Sequence, residues 1–207
     1  MEAKDPLNVI VTGVGGQGNV LIAQFIGRAL VKAKWHVTIG ETYGASQRGG
    51  AVMSHLRISR QTQYGPLIPE GAAHVVLGLE PLETLRVLAQ FGNPEVIVIA
   101  NSRPVHPLAV TTGAAEYPSR EQVAVMLEQL SGRAWLIDAT DIALDLGAGI
   151  LANVLMLGAL VGSGALPVGP EAFEPELRES LPADKLDLNL QAFRRGVLEV
   201  TAANASR

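Results

Sequence analysis

The chain has 207 residues, 48% of them apolar and only 17% charged, with 16 Lys and Arg against 20 Asp and Glu for a net charge of −4. It contains no cysteine, which excludes disulfides, a thiol nucleophile and an iron–sulfur cluster held by its own thiolates; no basic run marks nucleic acid or anionic membrane as a partner. The charged fraction lies below the roughly 25% usual for soluble proteins, so part of the surface is expected to be covered by another chain.

Met1 to Asp5 is polar and the first apolar run is too short for a secretory signal, which points to the cytoplasm. Leu7 to Thr12 is a mostly apolar run, as expected of a central strand covered on both faces. It leads into Gly13-Val14-Gly15-Gly16-Gln17-Gly18, after which Val20, Leu21, Phe25, Ile26, Ala29, Leu30 and Val31 recur at helical spacing up to Lys34. His36 to Gly40 is a short β-branched run that reads as a strand, and Val52, Leu56 and Ile58 fall near a period of two, which gives another. Glu41 to Gly50 (E-T-Y-G-A-S-Q-R-G-G) is then expected as a loop between two strands. Gln61 to Gly71, with Pro66 and Pro69, reads as a polar turn or short hairpin.

His74 to Leu79 is expected as a buried strand. Glu80-Pro81 opens a helix to about Phe91, with Leu82, Leu85, Leu88 and Ala89 inward. Glu95 to Ala100 is the next strand, and Arg103 to Tyr117 reads as extended excursions. Ser119 caps a helix through Leu130, with Gln122 in the capping-box position. Ala134 to Asp138 is a last strand, and Ala139-Thr140-Asp141 caps a short helix closed by Gly147. Leu146 to Pro170 has no charged residue and is long enough to raise a membrane-spanning reading. Asn153, several glycines and the lack of flanking Lys/Arg or aromatic belts favour a helix buried on all sides. A surface helix over Val168 to Leu181 and a final helix over Asp187 to Val200, with Leu190, Phe193 and Val197 inward, complete the chain. The alternation of strands and helices predicts one domain over residues 1–207: a three-layer α/β/α Rossmann-like sheet, mostly parallel, with C-terminal helices.

Two stretches carry chemistry. A glycine turn between a strand and a helix aims backbone N–H groups and a helix N-terminus at whatever sits above it. Gly13, Gly15 and Gly18 satisfy G-x-G-x-x-G, and Glu41 stands where a ribose-binding acid belongs, so an independent NAD- or flavin-binding Rossmann protein is one reading. In the second stretch Arg48 stands between Gln47 and the pair Gly49-Gly50, with Tyr43 and Ser46 upstream. Glycines beside a guanidinium suit close approach to an anionic or planar ligand, or to another chain. No G-x-S-x-G elbow, Walker lysine or suggestive carboxylate pair is present. The histidines, His36, His55, His74 and His106, lack metal-helix spacing, so no metal site is expected. Asp138 and Asp141 are better read as a strand end and a helix cap than as acids, and Asn153 as a buried amide or interface contact. The residues themselves therefore argue for a binding or accessory domain; a regulatory ligand-binding domain remains a third reading.

G-V-G-G-Q-G at Gly13 to Gly18, together with the Glu41 to Gly50 loop, resembles the γ domain of 2-oxoacid:ferredoxin oxidoreductases. The order of elements is similar too: H-V-V-L-G-L-E-P at His74 to Pro81, D-A-T at Asp138 to Thr140 and N-V-L-M-L-G at Asn153 to Gly158. A freestanding chain of this length most resembles the non-cluster subunit of the indolepyruvate type, with the pyruvate and ketoisovalerate types next. The resemblance implies an enzyme that decarboxylates a 2-oxoacid on thiamine diphosphate, passes electrons through [4Fe–4S] clusters to ferredoxin and forms an acyl-coenzyme A. It places thiamine diphosphate, Mg and the clusters in a large α subunit, and leaves this chain inactive alone, with no cofactor of its own. Gly13, Gly15, Gly16, Gln17, Gly18, Tyr43, Ser46, Gly49 and Gly50 are then the expected binding positions. Arg48 and Gln47 are the expected contributors to a shared site, with coenzyme A at the interface.

Overall fold

The computed structural model describes residues 4–44 and 50–205. The apolar run Leu7–Val14 forms β1, and every residue in it after Leu7 is buried. Such a strand needs cover on both faces, and its alternation supplies two cores. Val9 and Val11 face one hydrophobic cluster while Ile10 faces the other. β1 is followed by the helix α1 (Asn19–Lys32), then β2 (His36–Tyr43), β3 (Ala51–Ser59) and β4 (Val75–Gly78). Next come α2 (Pro81–Phe91), β5 (Ile97–Asn101), a short α3 (Leu108–Thr111), α4 (Arg120–Gln129) and β6 (Arg133–Ile137). The chain ends with α5 (Ala139–Asp145), a 3₁₀ turn, α6 (Ala152–Gly162), α7 (Pro170–Ser180) and α8 (Ala183–Ala205).

The sheet has the order β2-β3-β1-β4-β5-β6. β1, β4, β5 and β6 run parallel, and β3 is antiparallel to both neighbours. The three layers follow: α1, α6 and α8 bury one face around Phe25, Leu155 and Phe193, and α2 and α4 bury the other around Leu88 and Leu127. The expected α/β/α sheet is present, with β3 as the one antiparallel insertion among the described strands.

Several expectations change at their edges. β2 runs on to Tyr43 because Glu41, Thr42 and Tyr43 pair with Ser54, Met53 and Val52, so the loop starts at Gly44. A period of two suggests a strand with one exposed face, but β3 lies between β1 and β2, and Ser54, His55, Leu56, Ile58 and Ser59 are buried. Residues 61–71 form no strand. They cover the β2–β3 end of the sheet instead, with Ile68 buried in the second core and Pro66 packed so close that a Cβ on Gly40 would sit 2.8 Å from it. Ala89 faces solvent, and Val87 takes the inward place on α2. α7 buries Phe173 and Leu177 against the first core, and α8 begins earlier and runs further than expected.

The uncharged stretch resolves into the eleven residues of α6, of which Asn153 to Val161 are all buried. Among the described residues no helix is long and apolar enough to cross a membrane. What α6 does instead is cross α8 at backbone contact. A Cβ on Gly158 would lie 2.0 Å from the Phe193 carbonyl oxygen, and one on Gly196 would lie 1.9 Å from that of Leu155.

Candidate functional site

In a doubly wound sheet the ligand crevice lies at the carboxyl ends of the strands, where successive helices leave to opposite faces. Here α1 leaves β1 toward the first core and α2 leaves β4 toward the second, so the crevice falls between Gly13–Gly18 and Leu79–Glu80. Gly13 has no room for a side chain: a Cβ would meet Gln17 Oε1 at 2.5 Å and Leu79 Cβ at 3.0 Å. Gly16 (φ +101°) and Gly18 (φ +93°) take left-handed conformations that other residues adopt only with strain. Gln17 is a brace. Its Oε1 accepts from the Val14 amide at 2.7 Å and its Nε2 donates to the Leu79 carbonyl at 3.1 Å, tying the turn to the end of β4.

The two expected stretches meet at one backbone bond. The Gly15 amide donates to the Gly50 carbonyl at 3.0 Å, continuing the pairing of Val14 with Ala51, and the Gly44 amide donates to Ala51 at 2.8 Å across the mouth of the hairpin. Tyr43, at the end of β2, is 66% exposed. Ser46, Gln47, Arg48 and Gly49 lie outside the described residues. Glu41 does not reach the glycine turn. β3 separates β2 from β1, which puts Glu41 two strand spacings, about 10 Å, from β1. Its carboxylate accepts from the Ser54 hydroxyl at 2.6 Å, and burial raises its pKa against the opposing effect of that hydroxyl. The acid that a dinucleotide site needs is therefore engaged elsewhere.

On the other side of the turn opens a crevice of about 380 Å³. Gly16 and Gln17 form one wall, and Asn101, at the end of β5, and Thr140, in the first turn of α5, form the floor. Asn153 and Met156 of α6 close the back, and Arg103 to Val105 form the lip. Asn101 is buried and donates to the Leu79 carbonyl at 3.3 Å and to the Thr140 hydroxyl at 2.9 Å. The lip is held by Glu80, which is 1% exposed. One carboxylate oxygen caps α2 through the Glu83 amide at 2.8 Å, and the other accepts from the Val105 amide at 3.2 Å and from the Tyr117 hydroxyl. Burial, and then the bond to that carboxylate, push the Tyr117 hydroxyl far above its usual range, so it stays a donor. Their grouping is not visible in the sequence because only the parallel sheet brings the ends of β1, β4, β5 and β6 to one edge. Asp141 is more than half exposed, and among the described residues it pairs with Arg103 at 3.5 Å. Among the described residues no group of three or more His, Asp or Glu side chains is placed to hold a metal ion.

Residues 8–199 match the family described as pyruvate ferredoxin/flavodoxin oxidoreductase, and the chain belongs to that family. Within it the chain is 38% identical to the indolepyruvate oxidoreductase subunit IorB of Archaeoglobus fulgidus, over 97% of this chain and 98% of that one. The same fold is found in the γ subunit of a keto/oxoacid ferredoxin oxidoreductase from Geobacter sulfurreducens, with a TM-score of 0.67 at 22% identity over 94% of this chain and 98% of that one. It recurs in a 2-oxoglutarate:ferredoxin oxidoreductase from Magnetococcus marinus, solved with coenzyme A and succinyl-CoA. There the TM-score is 0.73 at 21% identity, and the match covers 97% of this chain and 32% of the larger one.

Proposed function

We propose that this chain is the small, non-cluster subunit of a 2-oxoacid:ferredoxin oxidoreductase of the indolepyruvate type. It would be one γ-type domain whose two loops complete the active site or coenzyme A site of a larger catalytic subunit. Support comes from its similarity along nearly its whole length to an indolepyruvate oxidoreductase subunit. The observation that carries the site is the bond from the Gly15 amide to the Gly50 carbonyl, which holds the glycine turn against the root of the Arg48 loop.

The residues present fit an anionic group. α1 has Gly18 at its N-cap, no side-chain cap and no acid in its first turn, so its N-terminal dipole is left uncompensated. Arg48 would add a fixed charge from the loop, and Gln47 a second donor. A phosphate of coenzyme A, or a carboxylate at the partner's site, meets those requirements; the Magnetococcus marinus relative was solved with coenzyme A bound. Thiamine diphosphate, its Mg and the clusters supply the decarboxylation and the electron path. The described residues offer no carboxylate cluster for that Mg and the sequence no thiolate for a cluster, so both belong to the larger subunit in this reading. Ferredoxin is reached through the complex.

The test is the reconstituted complex carrying Arg48→Ala. Assembly is expected to be unchanged by gel filtration, while 2-oxoacid-dependent acceptor reduction falls on the order of 10²-fold, as when one preorganised donor to a developing charge is removed. Full turnover in that variant would remove the loop from the site.

A further inference from the structure

At the amino edge of the sheet, where the parallel strands begin, lies a cavity of about 200 Å³ that the functional reading does not use. It is bounded by Leu7, Val75 and Ile97, from the starts of β1, β4 and β5, and by the connection between α6 and α7 at Gly164 to Pro167. An apolar cavity of roughly 150 Å³ takes benzene, so there is room here for a ring with a short side chain. The ionisable side chains in the lining are Lys4, His74 and Glu95. His74 heads the H-V-V-L-G-L-E-P segment, and its Nδ1 accepts from the Asn8 amide at 2.9 Å. Burial and then Lys4 lower its pKa against the opposing effect of Glu95, so the ring is neutral at pH 7. A neutral imidazole that accepts at Nδ1 carries its proton on Nε2. Among the described residues that N–H has no acceptor. Lys4 Nζ pairs with Glu95 at 2.7 Å, and the two side chains are 44% and 77% exposed, so the pair is screened and open to exchange.

We propose that this cavity binds a small aromatic monocarboxylate. Its carboxylate accepts from His74 Nε2–H and from Lys4 Nζ, taking the place of Glu95, and its ring lies along Leu7, Val75 and Ile97. Both groups assigned are donors. Glu95, the acceptor nearby, is the most exposed of the three and turns to water at little cost. An ammonium ligand would gain that exposed carboxylate alone, and would face the Lys4 charge and an N–H. The place is distinct from the glycine turn: Leu7 and Val14, at the two ends of β1, are seven steps or roughly 20–25 Å apart. Occupancy ties the starts of three strands to the α6–α7 connection, and so stabilises the folded chain in proportion to ligand concentration. The proposal does not depend on the functional reading above, because it concerns the chain by itself.

The experiment is an NMR titration of the full chain with phenylacetate, read at the two indole N–H signals. Trp35 lines the cavity and Trp135 does not, so the second is an internal control. The Trp35 signal is expected to shift saturably, with a Kd on the order of 1 mM or below, as for a ligand of about ten heavy atoms, while Trp135 stays in place. Phenylacetamide, equal in size and uncharged, is expected to bind about tenfold more weakly. Lys4→Gln, at an exposed position, is expected to weaken phenylacetate about threefold, and Glu95→Gln, which frees Lys4, to tighten it by a similar factor. His74→Asn keeps an acceptor for the Asn8 amide and removes the Nε2–H; a loss of about tenfold is expected, with folding checked by thermal unfolding. The proposal is overturned if the Trp35 signal shows no saturable shift, or if Trp135 moves as much. It is overturned equally if phenylacetamide binds as well as phenylacetate, or if Lys4→Gln and His74→Asn both leave the affinity unchanged. None of these outcomes bears on turnover of the reconstituted complex, which tests the loop.

Discussion

Asp138 shows how much a single strand-end residue decides at this edge. Its carboxylate accepts from the Ser102 hydroxyl at 2.5 Å and pairs with Arg120, joining the ends of β5 and β6 to the first turn of α4. Partial burial works to raise its pKa, but the hydroxyl and the guanidinium outweigh it and hold the carboxyl below its usual value. A folded-state value below the unfolded one stabilises the fold above the unfolded pKa, about pH 4, and that contribution is lost as pH falls through the folded value. The Asp138 and Arg120 side chains are 43% and 51% exposed, so the pair is screened. Asp138→Asn is accordingly expected to cost about 0.5–1 kcal/mol at pH 7 in urea unfolding, with the difference shrinking below about pH 4. A cost that stays constant down to pH 3 would assign the residue's contribution to packing instead of charge.

At the scale of the element, α6 and α8 set the limit of tolerance. Their backbones touch through Gly158, Gly162 and Gly196, and the obstructing atoms are carbonyl oxygens, which cannot rotate away as a side chain does. Gly158→Ala is therefore expected to cost about 3 kcal/mol or more, the upper end of overpacking. That corresponds to a fall of at least about 6 °C in Tm for a chain of this size. Gly65→Ala, where an added Cβ meets nothing within 4 Å, serves as the control and is expected to change stability by less than about 0.5 kcal/mol. The lack of charge in α6 was legible in the sequence and marked it as buried; the helix it would cross was not, because periodicity says which face is apolar and nothing about its partner. The same division holds for the strands. Apolar and β-branched runs, and for β3 a period of two, located β1 to β6 closely, yet the place of β3 between β1 and β2 depends on which edges pair. That one insertion is what carries Glu41 away from the glycine turn. The glycine turn could be read directly because its chemistry is local. The grouping of Asn101, Arg103, Thr140 and Asn153 could not be, since three separate segments bring them to one crevice.

At the scale of the whole molecule, the described residues at the carboxyl edge of the sheet are chiefly binding groups. Its carboxyl edge presents amides, carboxamides and a guanidinium, all of which position and polarise. The nearby carboxylates Glu80 and Asp138 are bound to backbone amides, hydroxyls or Arg120. Chemistry on a 2-oxoacid needs an electron sink; the sequence has no thiolate, and among the described residues no carboxylate cluster is placed to hold a metal-bound one. Such a surface accelerates a reaction only by adding oriented donors to a centre supplied from elsewhere. Two measurements follow from this. The purified chain alone, given indolepyruvate, coenzyme A and a viologen acceptor, is expected to show no reduction above background. Co-expressed with its larger subunit it is expected to support 2-oxoacid-dependent reduction, which disappears when this chain is omitted. The isolated protein is also expected to have a visible spectrum without flavin bands and to show no saturable binding of NAD, because β3 has removed the ribose-binding acid from reach. Turnover by the lone chain would place a reactive centre within it; a retained flavin or tight NAD binding would return the glycine turn to a dinucleotide.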